Sequence, residues 1–204
     1  MNNFATTSAR PRLKKAMITA IFLCSAFFLS AAFTKATAQD TTARRFKTAG
    51  GMIGFGNAFS DNTYYKIFYL AADFSWSFTK FPKKKDFVAW YAEPQVNPVR
   101  TRRPWDLEFG VNLGIRNYVK FNENFYFYQM IGSGPHYMTA RLDRQAHGFI
   151  FSDNFAIGTF TRLNKKDLFL NLQFRMRHLS NANIELPNRG INSYNFLVGI
   201  SRFN

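Results

Sequence analysis

The sequence predicts an all-β fold, an eight-stranded antiparallel transmembrane β-barrel preceded by a cleavable signal peptide. Three observations carry that expectation. The N-terminus has the layout of an export signal, the remainder falls into eight segments of strand patterning, and aromatic residues make up 18% of the chain, with 25 Phe among 204 residues. That is far more aromatic surface than a soluble domain of this size carries, and short strands with one greasy face account for it.

Residues 1–38 form the first element. Arg10, Arg12, Lys14 and Lys15 are a basic stretch, "AMITAIFLCSAFFLSAAF" is the apolar core, and "ATA" at 36–38 supplies small residues before Gln39. Cleavage there would leave a chain starting near Gln39; the alternative is an uncleaved anchor, since the apolar run approaches spanning length. The single cysteine, Cys24, lies inside this run, and "IFLC" lacks the small residues expected before a lipidated cysteine. The exported chain would then contain no thiol, disulfide or Cys-based metal site. Five of the 27 Lys+Arg and none of the 12 Asp+Glu fall in residues 1–38, leaving 22 basic against 12 acidic residues, a net +10. An exported basic protein is better matched to anionic lipid or glycolipid than to nucleic acid.

The domain 39–204 follows, with strands expected near 46–57, 63–78, 86–96, 105–118, 125–139, 147–163, 167–179 and 193–203. Each is long enough to cross a bilayer as a tilted strand, for which about 9–11 residues suffice. The second puts Phe68, Leu70, Phe74, Trp76 and Phe78 on one face, against Asp73, Ser75 and Ser77. In the fourth, Trp105, Leu107, Phe109, Val111, Leu113 and Ile115 oppose Asp106, Glu108, Asn112 and Arg116. In the seventh, Leu168, Leu170, Leu172, Phe174 and Met176 oppose Asn171, Gln173, Arg175 and Arg177. Such alternation also suits a soluble sandwich, whose apolar faces meet in a core. The export signal favours the barrel, as do the aromatic residues near strand ends (Tyr64, Trp76, Trp90, Trp105, Tyr118, Tyr137, Tyr194) and a last strand ending at Phe203. Eight strands enclose a lumen that side chains fill, so a pore is not expected. Glu108, Asp73 and Glu93 are expected to pair inside with Arg116, Arg175 and Arg177.

With both ends in the periplasm, connections 58–62, 97–104, 140–146 and 180–192 would face outward from the cell and 79–85, 119–124 and 163–166 inward. His178 and Ser180 then close the seventh strand at its external end, in phase with Phe174 and Met176 and so toward lipid. Residues i and i+2 share a strand face about 6.5–7 Å apart, which lets an imidazole reach a serine hydroxyl. A serine nucleophile needs a base, a group that orients the base, and donors for the oxyanion. Asn181, Asn183, Glu185, Asn188, Asn192 and the backbone around Gly190 are the candidates at hand. Neutral His and Ser are also ordinary interfacial residues of a barrel rim.

The segment "HLSNANIELPNRGIN" resembles the signature of the lipid A 3-O-deacylase family, also termed acyloxyacyl hydrolases: His-x-Ser-Asn-Ala-Gly, then Pro-Asn-x-Gly, then an acidic residue. "GGMIGFG", "EFGVNLGIRNY" and "QMIGSGPHYM" are similar to that family's Gly-rich strands. The resemblance implies an eight-stranded outer-membrane barrel that hydrolyses an ester of lipid A, in lipopolysaccharide, with a Ser-His-Glu triad at the outer surface and no cofactor or metal. It implies Ser180 as nucleophile and His178 as base, with Asn181 and Asn188 at positions from which an oxyanion donor would come. Two positions depart from the signature. Asn183 replaces its glycine, and Asn192 stands where the family has its acid; Glu185 is the alternative orienting acid.

His136 and His147 lie on different strands without a carboxylate at metal-ligand spacing, and a structural role is expected for both. "FPKKKD" reads as a solvated turn. Arg100, Arg102 and Arg103, in the external "RTRRP" region, are candidates for binding lipid A phosphates bidentately. The sequence therefore predicts an outer-membrane esterase acting on lipid A; the alternative is a non-catalytic structural or adhesive barrel that kept the motif after losing its acid.

Overall fold

Alternation along the chain becomes a closed antiparallel barrel in the computed structural model, which describes residues 45–59, 63–80, 86–102, 105–164 and 166–204. The export segment 1–38 and the turn at 81–85 lie outside the described residues. Nine strand segments are present: β1 (Arg45–Ala58), β2 (Lys66–Lys80), β3 (Asp86–Arg100), β4 (Asp106–Asn122), β5 (Phe125–Ser133), β6 (Pro135–Met138), β7 (Gly148–Arg162), β8 (Leu168–Ser180) and β9 (Ile191–Phe203). They make eight barrel strands, because β5 and β6 are halves of one. Leu113↔Ser133 and Gly110↔His136 keep the same register on either side of Gly134. A Cβ on Gly134 would sit 1.8 Å from the Val111 carbonyl oxygen, so only glycine fits where the two backbones come together. Each strand pairs with its chain neighbour, and β1 closes on β9 from Thr48↔Phe203 to Ala58↔Ser193. Closure leaves no strand edge unpaired, as a bilayer demands.

The faces are those that the period of two dictates. Along β8, Phe169, Asn171, Gln173, Arg175, Arg177 and Leu179 are buried, while Leu168, Leu170, Leu172, Phe174, Met176, His178 and Ser180 lie outward. The exterior presents a belt of large apolar side chains, among them Ile53, Phe55, Leu70, Phe74, Leu113 and Leu172, the surface that lipid covers. Tyr118 is a correction. Its place near a strand end suggested an interfacial aromatic, yet it is fully buried and bonds Ser75 Oγ at 2.8 Å inside the lumen. Phase decides: Tyr118 is two residues from the inward Arg116.

The lumen is packed in three tiers. At the end holding both strand termini of the barrel, Phe46, Phe87, Tyr118, Phe160, Phe169 and Phe203 stack edge-to-face and face-to-face, with Phe169 and Phe203 4.0 Å apart. The middle holds the three acids and three arginines expected there, paired as Arg116 with Asp73 at 2.7 Å, Arg175 with Glu93 at 2.6 Å and Arg177 with Glu108, all fully buried. Glu108 also accepts the Tyr65 hydroxyl at 2.8 Å and meets His136 Nδ1 at 2.9 Å, which gives His136 a structural place in the network. Multiple donors per carboxylate are what make such burial tolerable. The third tier, toward the β8–β9 connection, is apolar again: Tyr65, Ile67, Val99, Met138, Ile150, Leu179 and Ile191.

Candidate active site

β8 and β9 fix the relation between His178 and Asn192. Their ladder sets the two residues directly opposite, both on the outward face, and His178 Nδ1 lies 2.7 Å from Asn192 Oδ1. An amide oxygen only accepts, so Nδ1 donates in this contact, which in a neutral ring leaves the lone pair on Nε2. That tautomer is the one a general base requires.

Ser180 shares the outward face two residues further on, at the end of β8, and is half-buried. Among the described residues no hydrogen bond joins Ser180 to His178; the structure brings together His178 and Asn192 and leaves the serine beside them.

The loop 181–190 then folds back over the site through its own amides. The Asn181 N–H donates to Asn188 Oδ1 at 3.0 Å, Asn181 Nδ2 to the Glu185 carbonyl at 2.7 Å, and Asn188 Nδ2 to Asn183 Oδ1 at 3.0 Å. The Asn183 N–H closes onto Asn181 Oδ1 at 3.1 Å. Asn183 has φ +64°, the left-handed region that the signature's glycine would adopt freely and that asparagine tolerates better than other side chains. Its side chain adds a bond that glycine lacks, so this departure from the signature is structurally conservative. Gly190, with φ +68°, is more constrained: a Cβ there would lie 2.5 Å from His178 Cε1. The loop backbone thus packs against the edge of the imidazole.

Each side-chain amide nitrogen carries two N–H groups, and the loop uses one from each of Asn181 and Asn188. Asn181 is buried at 1% exposure, whereas Asn188 is half-buried, so the second N–H of Asn188 is the more accessible of the two. Glu185 offers its carbonyl to Asn181; its side chain is exposed and makes no hydrogen bond or ion pair among the described residues. Ile184 and Leu186 beside it are 68% and 78% exposed, an apolar loop tip next to the candidate nucleophile.

The arginine candidates separate. Arg100 is outward at the end of β3, its guanidinium 5.8 Å from the Trp105 ring centre, and Arg103 lies outside the described residues. Arg102 lines a cavity of about 120 Å³ with Thr63, Tyr64, Arg141 and Arg144. Arg141 and Arg144 were not singled out in the sequence because they belong to a different loop, and Asp143 lines the same cavity. That loop is tied to the motif: the Arg189 N–H donates to the Arg144 carbonyl at 2.8 Å and the Ala146 N–H to Pro187 at 2.7 Å.

Two further outward residues extend the row from His178. On the side away from Asn192, β7 places Asp153 directly opposite it. Asp153 in turn accepts the Ser133 hydroxyl at 2.6 Å. Ser133 stands one step beyond the Gly132↔Asn154 pair, hence opposite Asp153. Ser133, Asp153, His178 and Asn192 thus form one cross-strand row of polar side chains on an otherwise apolar exterior.

A sequence model of the lipid A 3-O-deacylase (PagL) family matches residues 63–201. No curated protein sequence matches the chain. Among solved structures, the crystal structure of the outer membrane enzyme PagL aligns with a TM-score of 0.59 at 14% identity, over 74% of this chain and 97% of that one. Neisserial surface protein A aligns with a TM-score of 0.51 at 8% identity, over 78% of this chain and 96% of that one. At such identities these structural matches speak to the fold, an outer-membrane β-barrel; the family match carries membership.

Proposed function

Since the chain belongs to the lipid A 3-O-deacylase family, we propose that it is an outer-membrane esterase that hydrolyses an ester-linked acyl chain of lipid A, with its site at the external leaflet. The observation that carries this reading is the 2.7 Å contact of His178 Nδ1 with Asn192 Oδ1 beside Ser180, on the lipid-facing side. Residues 1–38 act in this proposal as the export signal.

Ser180 Oγ attacks the ester carbonyl as its proton passes to His178 Nε2. Side-chain rotation of Ser180 closes the dyad, since such bonds often form only in the complex with substrate. Negative charge on the tetrahedral oxygen is met by Asn188 Nδ2 and the backbone at Gly190, with Asn181 holding the loop in shape. The acyl carbon–oxygen bond to the sugar breaks, His178 returns the proton to that oxygen, and water then releases the fatty acid from Ser180 by the same route in reverse roles. Asn192 keeps Nδ1 as the donor throughout. Arg102, joined by Arg141 and Arg144, contacts a lipid A phosphate, with Arg100 and Arg103 as further proposed phosphate-binding residues.

The neutral Asn192 favours a second reading, a barrel that retains the fold and motif without activity. Mass spectrometry of lipid A from cells with and without the protein separates them: loss of one acyl chain, abolished by Ser180→Ala, supports the enzyme. Unaltered lipid A in the presence of correctly assembled protein supports the inactive barrel.

A further inference from the structure

The row Ser133–Asp153–His178–Asn192 holds one carboxylate, on the strand next to that of the imidazole, and it is not at the position where the family's acid stands. We propose that Asp153 is the positioning carboxylate of this site, supplying from β7 the negative charge that Asn192 lacks on β9. The inference rests on the esterase reading of His178 and Ser180.

The register carries the argument. Asp153 and His178 are direct partners in the β7–β8 ladder, and directly opposed side chains on one face have Cβ atoms about 4.5–5.5 Å apart. The register thus makes Asp153 the cross-strand neighbour of His178 on the lipid-facing side, and an opposite charge at such a neighbouring position favours an imidazolium. Its neighbours on the lipid-facing row of β7 are Phe149, Phe151, Phe155 and Ile157, so a carboxylate there sits in an apolar setting. A charge on the lipid face is unfavourable to a degree that grows with depth, and a purely structural role would be met by a neutral residue. One oxygen, Oδ1, takes the Ser133 hydroxyl at 2.6 Å, which orients the group.

The division of labour follows. Asn192 fixes the tautomer through Nδ1, and Asp153 favours the charged ring that forms when Ser180 gives up its proton. The other residues around the ring do not supply this charge: Gly190 from the loop and Met176 and Ser180 from β8 carry none, and Glu185 and Arg189 of the same loop are exposed. Arg175 and Arg177 point into the lumen.

The test uses the full-length protein refolded in detergent, with assembly checked by heat-modifiable gel mobility. Asp153→Asn is expected to lower kcat for fatty-acid release from lipid A at least tenfold with KM little changed. Adding Asn192→Asp to Asp153→Asn should restore rate by returning a carboxylate to the other side of the ring, a rescue that a merely structural role would not give. Ser133→Ala, which removes the hydroxyl and leaves the charge, should cost less than Asp153→Asn. A kcat unchanged by Asp153→Asn, a loss equal in Ser133→Ala and Asp153→Asn, or no rescue in the double variant overturns the proposal and leaves the esterase reading standing. A correctly assembled wild-type protein that releases no fatty acid overturns the esterase reading, and with it the proposal.

Discussion

Replacing Asn192 by aspartate changes the charge beside His178 while leaving shape almost untouched. The two side chains are nearly isosteric, so the 2.7 Å approach to Nδ1 is kept. What changes is the acceptor. A hydrogen bond to an ionised group contributes about 1.5–3 kcal/mol against about 0.5–1.5 for a neutral pair. The difference, about 1–1.5 kcal/mol, matters only once the ring is charged, in the transition state. It converts to roughly a tenfold rise in kcat. The far larger penalty of about 10⁴ known for an amide in the orienting position arises when that amide enforces the wrong tautomer. Here the amide oxygen faces Nδ1, so the tautomer is already right and the expected gain is modest. The assay is fatty-acid release from purified lipid A in mixed micelles, across pH, for wild type, Asn192→Asp and Asn192→Ala. Asn192→Ala should lose at least tenfold as the ring loses its anchor. Wild-type rates in both variants would refute the reasoning, because the 2.7 Å contact would then have no part in turnover.

Ser180→Ala and His178→Ala should each abolish deacylation with normal heat-modifiable mobility, since both side chains lie outside the packed lumen; retained turnover in Ser180→Ala would remove the nucleophile assignment. Glu185→Gln should change kcat less than twofold, and a large loss would make Glu185 the working acid. Gly190→Ala should lower kcat by about a hundredfold, because its Cβ would fall 2.5 Å from His178 Cε1 and small displacements of a base are costly. Glu108→Ala should destabilise the barrel by about 3–5 kcal/mol in urea-induced unfolding from detergent, since it strands a buried Arg177; Glu108→Leu combined with Arg177→Met should recover most of that, and failure to recover would place the cost in packing rather than charge. Arg102→Ala with Arg144→Ala should raise KM for phosphorylated lipid A several-fold with kcat held, and an equal KM for dephosphorylated lipid A in wild type would dissociate the cavity from phosphate.

The barrel was legible because its information is local. A side chain's face on a strand depends only on the parity of its position, so β8 could be assigned inside and out from residues 168–180 alone, and the buried Arg175 and Arg177 on it follow. Charge balance then gave the set of acids that answers them, Asp73, Glu93 and Glu108, while the individual pairings, Glu93 with Arg175 and Glu108 with Arg177, follow from the closed barrel. Tyr118 shows the limit of composition without parity: nearness to a strand end suggested the membrane interface, and the phase set by Arg116 put it inside. The contact of His178 with Asn192 was half legible. The motif named both residues, and the short loop between their strands made it plausible that they face each other.

Asp153 was not legible, and the reason is physical. It lies 25 residues from His178, with a turn and most of two strands between them, and its relation to the imidazole depends on how far β7 slides past β8. That stagger follows from barrel closure as a whole, so it is a property of eight strands and of no segment. A signal did exist within the strand: in the outward series Phe149, Phe151, Asp153, Phe155, Ile157, one carboxylate interrupts four apolar residues. A lone charge on a lipid-facing row is disfavoured unless a neighbouring strand answers it. Register supplies the answer, with the Ser133 hydroxyl on one side and His178 on the other. The same logic accounts for Asn192. With Asp153 as the carboxylate on β7, a second one on β9 would set two anions on the same row, whereas an asparagine holds the ring without adding that repulsion. The two positions are therefore coupled. A carboxylate on either side of His178 should support turnover, neither should fail, and both together should gain less over Asp153 alone than Asn192→Asp restores in its absence.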